Sequence, residues 1–430
     1  MWRAVVLCLI LMALAACGGS GDKARPAPPD STTTPPTSGC NDATEFCGVI
    51  PGNADPCDGD AYWPLTMASS LRPFTVHYSQ LADEETVLRI ITRLEESWAV
   101  QVDMLGFTAP VSDSGACGPD GNFDVFVWPG IGGGYVTGID SIAATPYRDY
   151  TTYMAFDPSG INGGIWLNSF MAHELNHALQ ASDDWWEDAQ HYEAGATFAE
   201  ALTYPDDDDW VFELEDFQAS PQWSLFYDDF AVSWYTYAAS MYLHYLYERH
   251  YPGDPAFYAR IWRETRSTAA AGRPDYFDAL RLVLLTERGV TLDETVVEFM
   301  QWRWFVGEFD DGAHFAQATD WAFPVAFTDI NVSEIPMVQV VDAMIYGANY
   351  VRITNDSAAS VEVMAAIDSS DPDIAWRLLN VAGGDVVGPM TLDPNDDVVL
   401  VAMVLPTEEV WTGNLSFDQT AADLQLTLAP

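Results

Sequence analysis

Basic residues are scarce in this chain: lysine and arginine number 17 among 430 residues, against 64 aspartate plus glutamate, for a formal net charge of −47. A surface this acidic repels phosphate backbones, which excludes nucleic acid as a partner. The acidity reads as a solubility device suited to a salty or cation-rich medium, ahead of a specific basic partner. Long hydrophobic runs are missing as well. The apolar run at residues 4–16 follows a single basic residue, Arg3, and falls short of the about 20 residues that a membrane-crossing helix needs. It reads as an export signal instead. The glycine-rich stretch 129–135 (PGIGGGY) lacks the Gly-Lys-Ser/Thr ending of a phosphate loop, so it is expected to be a turn. No internal repeat is visible. Disorder is excluded by what the chain does have, 49% hydrophobic residues with 16 Trp, 19 Tyr and 21 Phe.

Cysteine is sparse too, six in all. Cys8 lies in the signal. Cys17 closes the tetrapeptide Leu14-Ala15-Ala16-Cys17, which resembles a bacterial lipobox. That resemblance implies lipidation at Cys17 and a membrane anchor, and Gly18 in the next position implies the outer membrane; an ordinary cleaved signal is the alternative. Cys40, Cys47, Cys57 and Cys117 remain, an even number that suggests two disulfides in any of three connectivities. Their spacings lack the close pair of a cysteine zinc site.

Composition divides the rest. Residues 18–57 begin with a Pro/Thr-rich stretch (PAPPDSTTTPPTSG) and read as a tether. Strands are expected at 74–78, 123–128, 136–140 and 151–157. A helix is expected over 84–105 from its apolar spacing at Val87, Ile90, Ile91, Leu94, Trp98 and Val102. Further helices are expected at 166–181, 234–250, 255–266, 274–287 and 292–304. After residue 320 short β-rich runs separated by Asn, Asp, Gly and Pro predict an antiparallel sandwich, with strands at 337–341, 349–354, 361–367, 375–381, 398–405 and 424–428. The expected division is 1–17 signal, 18–57 tether, 58–318 catalytic domain and 319–430 accessory β-sandwich, an α+β protein.

The sharpest chemical signal is His173-Glu174-Leu175-Asn176-His177, an HExxH motif. Positions i and i+4 share a helix face, so both imidazoles can reach one zinc ion, and Glu174 stands beside them as general base toward a water that the metal polarises. Random placement of residues would produce the motif in roughly one chain in 200 of this composition.

Zinc in a hydrolase takes a third protein ligand and leaves one position open. Glu193, 16 residues past His177, is the expected third ligand, with room between for a loop and a returning helix. Thr197 and Glu200 share its helix face and are expected to hydrogen-bond the ligands from behind. Small residues Ala194, Gly195, Ala196 and Ala199 would let the two helices approach closely. His191 and Glu187 are the competing ligands. Asn176 and Gln180, polar on the motif helix, read as hydrogen-bonding framework.

HELNH followed by EAGATFAE resembles the gluzincin zinc peptidases, and the wider context (MAHELNHALQ, an Asp/Trp-rich spacer, YEAGATFAE, with FDVFVW and GGGYVTG upstream) is similar to secreted metalloproteases of myxobacteria-like genomes. The resemblance covers roughly residues 70–310. It implies a zincin-like fold, zinc on His173, His177 and Glu193, Glu174 as base, and hydrolysis of peptide or protein substrates. The metzincin pattern does not fit, because Gln180 and Asp183 stand where its glycine and third histidine would fall. By position in the family-like pattern Tyr237 is the candidate to stabilise the oxyanion, with His244 as runner-up.

Two further expectations follow. The acid runs 206–209 and 393–397 could bind calcium, against the plain alternative of solvated loops. The protein is expected to act as a monomer. Rival readings are an envelope adhesin with a structural or relic zinc site, and a zinc hydrolase acting on esters or other amides.

Overall fold

The computed structural model describes residues 50–429, apart from 51, 53, 59–61, 80–81, 83, 159–165, 208, 229–232, 269–271, 370–373 and 412. The expected anchor at Cys17, most of the tether, Cys40 and Cys47 lie outside the described residues.

The described chain is a mixed α and β protein in two compact units. One comprises residues up to Asp209 together with Pro255–Ala279; the other comprises Trp210–Asp254 and residues from Leu280 onward.

The first unit is organised on a five-stranded sheet of β1 (Leu65–Ala68), β2 (Phe74–Tyr78), β3 (Phe123–Val127), β4 (Gly134–Ser141) and β5 (Tyr150–Phe156), in the order β1-β2-β3-β5-β4. The inner strands β2, β3 and β5 run parallel, and both edges are antiparallel. FTVHY and FDVFV are buried at every position, as expected of strands covered on both faces. β1 was not foreseen; it is short and mostly exposed, so it carries no alternating pattern. Helix α1 (Glu84–Trp98) buries the foreseen stripe and then widens into a π-helical turn, Ala99–Met104.

Helix α2 (Leu167–Ala181) carries the HExxH motif. It packs against α1, β4, β5 and helix α3 (Ala189–Thr203). Nearly all of α2 is buried, polar residues included. Gly134 in β4 admits Phe170 of α2, because a β-carbon there would stand 2.1 Å from the phenyl Cζ. The glycine-rich turn before β4 is pinned from inside: Gly130 and Gly132 donate their backbone N–H groups to Asp157 Oδ2 at 2.7 and 3.1 Å. Cys57 and Cys117 form a disulfide that closes a 60-residue separation, consistent with one of the three connectivities.

In the second unit β6 (Phe327–Asn331), β8 (Ala348–Thr354), β10 (Ile374–Asn380), β11 (Gly384–Asp385) and β13 (Asp397–Pro406) form one sheet, in the order β11-β10-β13-β8-β6. A second sheet has β7 (Met337–Ala343), β9 (Val361–Asp368), β12 (Met390–Leu392) and β14 (Thr420–Leu428), in the order β12-β9-β14-β7. All pairs are antiparallel except β6 with β8. One apolar cluster draws on both sheets, among them Val351 and Leu400 from the first and Val363 and Leu424 from the second.

The compact units do not follow a linear cut at residue 318. Helices before that point belong with the sheets, because hydrogen bonds join them. Tyr350 donates its hydroxyl to Met300 O at 2.6 Å, Gln301 Nε2 donates to Asn380 O at 2.8 Å, and Ala326 N donates to Gln218 O at 2.8 Å. The helix expected over 234–250 is divided into Tyr235–Ala238, Ser240–Tyr245 and a π-helical turn, Leu246–His250.

Candidate metal centre

The i and i+4 spacing on α2 turns His173 and His177 to the same side, with ring centroids 4.6 Å apart. Glu193 reaches them from α3. Its Oε2 lies 3.0 Å from His173 Nε2 and 3.4 Å from His177 Nε2. One ligand atom from each of the three residues falls within 4.8 Å of the others, and this is the cluster among the described residues able to hold a metal ion.

The donor set fits an ion of the zinc type. Tetrahedral bonds of about 2.0–2.2 Å separate neighbouring ligand atoms by roughly 3.3–3.6 Å, close to the separations found. Two buried carboxylate oxygens also lack any hydrogen bond, Oε1 of Glu193 and Oε2 of Glu174. Buried polar atoms are normally satisfied, so two orphans beside three converging ligands point to a missing charged partner.

The electrostatics agree. Burial pushes the Glu193 carboxyl up, but His177 and His173 outweigh it and hold the carboxyl well below the usual range. Burial pushes His173 down, but Glu200 and Glu193 outweigh it and hold the imidazole well above its ordinary value. Burial raises the Glu174 carboxyl, against the pull of His177 and His173. In the metal-free protein the site thus holds positive charge as a proton, where a bound cation would hold it otherwise.

Behind the ligands, Glu200 accepts a hydrogen bond from His173 Nδ1, as the helix face foretold. Thr197 is fully buried and its hydroxyl carries no hydrogen bond, so the expected contact to a ligand is absent. Gln180 Oε1 lies 2.9 Å from His177 Nδ1. Asn176 Nδ2 donates to Gln101 Oε1 at 3.0 Å, and Gln101 Nε2 donates back to Ala172 O at 2.8 Å. These two side chains form the polar framework expected on α2.

The competing ligands have other partners. His191 stacks on Tyr276 with centroids 4.1 Å apart, and burial pushes it down to about 3. Glu187 Oε2 accepts the backbone N–H of Tyr276 at 3.0 Å. Tyr237 and His244 belong to the second unit. There the Tyr237 ring packs edge-on to Trp234, and His244 stacks on Trp210 at 4.7 Å.

One feature was not foreseen. The turn between α2 and α3 is clasped by two arginines. Arg148 Nε and Nη2 donate to Asp184 Oδ2 at 3.1 and 2.9 Å, and Arg266 Nε donates to Asp183 Oδ1 at 2.8 Å. Ser267 and Thr108 donate to the same carboxylates. Burial raises Asp183, Asp184 and Glu187 above the usual carboxylate range, with the arginines opposing it. The signal in the sequence was four acids, Asp183, Asp184, Glu187 and Asp188, in a Trp-rich spacer of a chain with few basic residues; what it lacked was the distant arginines.

The acid runs weighed for calcium gather no comparable cluster among the described residues. Asp207 accepts a hydrogen bond from Asn168, and Asp393 accepts one from Ser360. Comparison of the chain with known protein families and with curated protein sequences gave no match.

Proposed function

We propose that this protein is a zinc-dependent peptidase, exported and lipid-anchored through Cys17 to the bacterial envelope. The observation that carries the proposal is the convergence of both Nε2 atoms and the Glu193 carboxylate next to the unpaired Oε2 of Glu174. A structural zinc site would have no use for that fourth, basic group; a hydrolytic one would.

In this reading residues up to Asp209, with Pro255–Ala279, form a zincin-like catalytic unit, and the two sheets of the second unit form a β-sandwich. His173, His177 and Glu193 would hold the ion. Bound there, zinc would supply Lewis acidity that polarises the scissile carbonyl and acidifies a water. Glu174 takes the proton from the attacking water and delivers it to the leaving amine, work suited to a carboxyl that burial raises above its ordinary value. The edge strand β4, antiparallel to β5 and packed on α2, is where an extended peptide could add as a further strand.

The test is metal content by mass spectrometry together with turnover of peptide and ester panels. The expected result is one zinc per chain and peptide cleavage in the wild type. Glu193→Ala should lose the metal. Glu174→Gln should keep it and lose roughly 10²–10⁴-fold in kcat. Turnover of esters with no peptide cleaved would replace the peptidase reading with another zinc hydrolase. No zinc after supplementation would leave a binding protein as the better reading.

A further inference from the structure

The two histidines of the site are supported differently. His173 donates its Nδ1–H to a carboxylate, Glu200, whereas His177 faces the neutral amide of Gln180. We infer that Gln180 is a positioning residue that dictates which nitrogen of His177 faces the metal, through an amide locked in a single orientation by α3. The inference rests on the metal-site reading above.

The lock begins with an acceptor that cannot donate. Gln180 Nε2 lies 3.1 Å from the backbone carbonyl oxygen of Tyr192 on α3, and 2.8 Å from the hydroxyl of Tyr258. A backbone carbonyl only accepts, so the amide must present its NH2 end to it. Oε1 is thereby turned toward His177, 2.9 Å from Nδ1. An amide oxygen also only accepts, so Nδ1 must carry the hydrogen. In a neutral imidazole that leaves the lone pair on Nε2, the atom 3.4 Å from Glu193 Oε2. The tautomer needed for metal binding is thus dictated by Tyr192, one residue before the third ligand on its own helix.

A second observation shows that the arrangement is built in. Tyr258 also accepts a hydrogen bond from Trp262 Nε1 at 2.7 Å, so its hydroxyl is held from the far side. Its approach to Gln180 crosses α3 at Gly195. A β-carbon at that position would lie 1.6 Å from the hydroxyl oxygen and 3.0 Å from Gln180 Nε2. Glycine inside a helix costs about 0.5–1 kcal/mol relative to alanine, yet here no other residue leaves room. All these side chains are buried.

The arrangement also makes the site asymmetric. The carboxylate behind His173 adds negative charge and basicity, while the amide behind His177 fixes direction without adding charge. Removing Gln180 is therefore expected to act on His177 alone.

The experiment uses the full chain with 15N-labelled histidine, read by long-range proton–nitrogen correlation at pH about 9, above the ordinary histidine range, first without metal and then with zinc. Zinc affinity is measured beside it by competition with a chromophoric chelator. In the wild type His177 is expected to show Nδ1–H in both states. In Gln180→Met, which keeps length but offers no amide oxygen, the metal-free ring should relax toward the tautomer mixture of free imidazole, and zinc should bind roughly 10–100-fold more weakly. A denaturant melt of this variant beside the wild type separates loss of the tautomer from loss of the fold, and the metal-free wild-type ring tests the inference without any substitution. An Nε2–H ring in the metal-free wild type would overturn the inference, as would unchanged tautomer and affinity in Gln180→Met. A wild type that binds no zinc would sink the metal reading, and the metal-free tautomer would still decide the role of Gln180.

Discussion

The interior between α2 and α3 and the interior between the two sheets of the second unit solve the problem of burial by opposite means. Between the helices lie His173, Glu174, His177, Gln180, Glu193 and Thr197, all buried. Between the sheets lie Ile330, Val351, Val363, Leu400, Leu424 and Leu426. An apolar core is held by packing, so a lost methylene costs in proportion to the void it leaves. A polar core is held by pairing, so each group must find its partner or wait for one. The helix pair leaves two carboxylate oxygens waiting, whereas the group left unpaired against the sheets' cluster, among the described residues, is the neutral indole N–H of Trp376.

That contrast can be broken or sharpened by measurement. The largest effect is expected from pH in the second unit. Burial pushes His244 down to about 3 from an ordinary 6.5, against the stacked Trp210. The unfolded chain takes up the proton more readily, so this stabilisation is complete above pH about 6.5 and is lost as pH falls toward 3, on the order of 4–5 kcal/mol in all. His244→Phe, which keeps the stack, should flatten the difference in denaturant melts across that window; identical pH profiles would refute it.

Zinc should act on the helix pair and not on the sheets. At about a thousandfold excess over Kd it should add about 4 kcal/mol, with amide exchange slowed across α2 and α3. Slowing in β8 and β13 alone would contradict the assignment. Leu424→Ala should cost about 2–5 kcal/mol while zinc affinity of the folded protein stays within twofold. A large change in affinity would show that the two interiors are coupled. Smallest is the disulfide: Cys57→Ser with Cys117→Ser should cost about 2–4 kcal/mol, and peptide mapping of the wild type should find that pair joined.

How much of this was legible depended on how local the cause was. The ligand trio followed from spacing, because i and i+4 on a helix is a local fact and the return of Glu193 needed only one turn. Strands β7–β10, β13 and β14 announced themselves as short β-rich runs between turn residues. β6 did not, since Phe327–Asn331 is largely exposed and is held by parallel pairing with a strand it precedes. The assignment of residues 210–254 to the second unit depends on contacts with residues far along the chain. The clasp of Arg148 and Arg266 on the 182–188 turn was hidden for the same reason, and so was the difference between Glu200, which touches a ligand, and Thr197, which does not.

The crossing of Tyr258 over Gly195 ties two distant positions into a single unit of variation. The ring at 258 forbids any side chain at 195: a β-carbon there would stand 1.6 Å from the hydroxyl oxygen and 2.5 Å from Cζ, so only a residue that lacks both atoms frees that position. Substitutions at the two sites should therefore be non-additive: Gly195→Ala damaging alone, and far less so on a Tyr258→Leu background, which removes the ring. In sequences that share this helix pair, the two columns should change together.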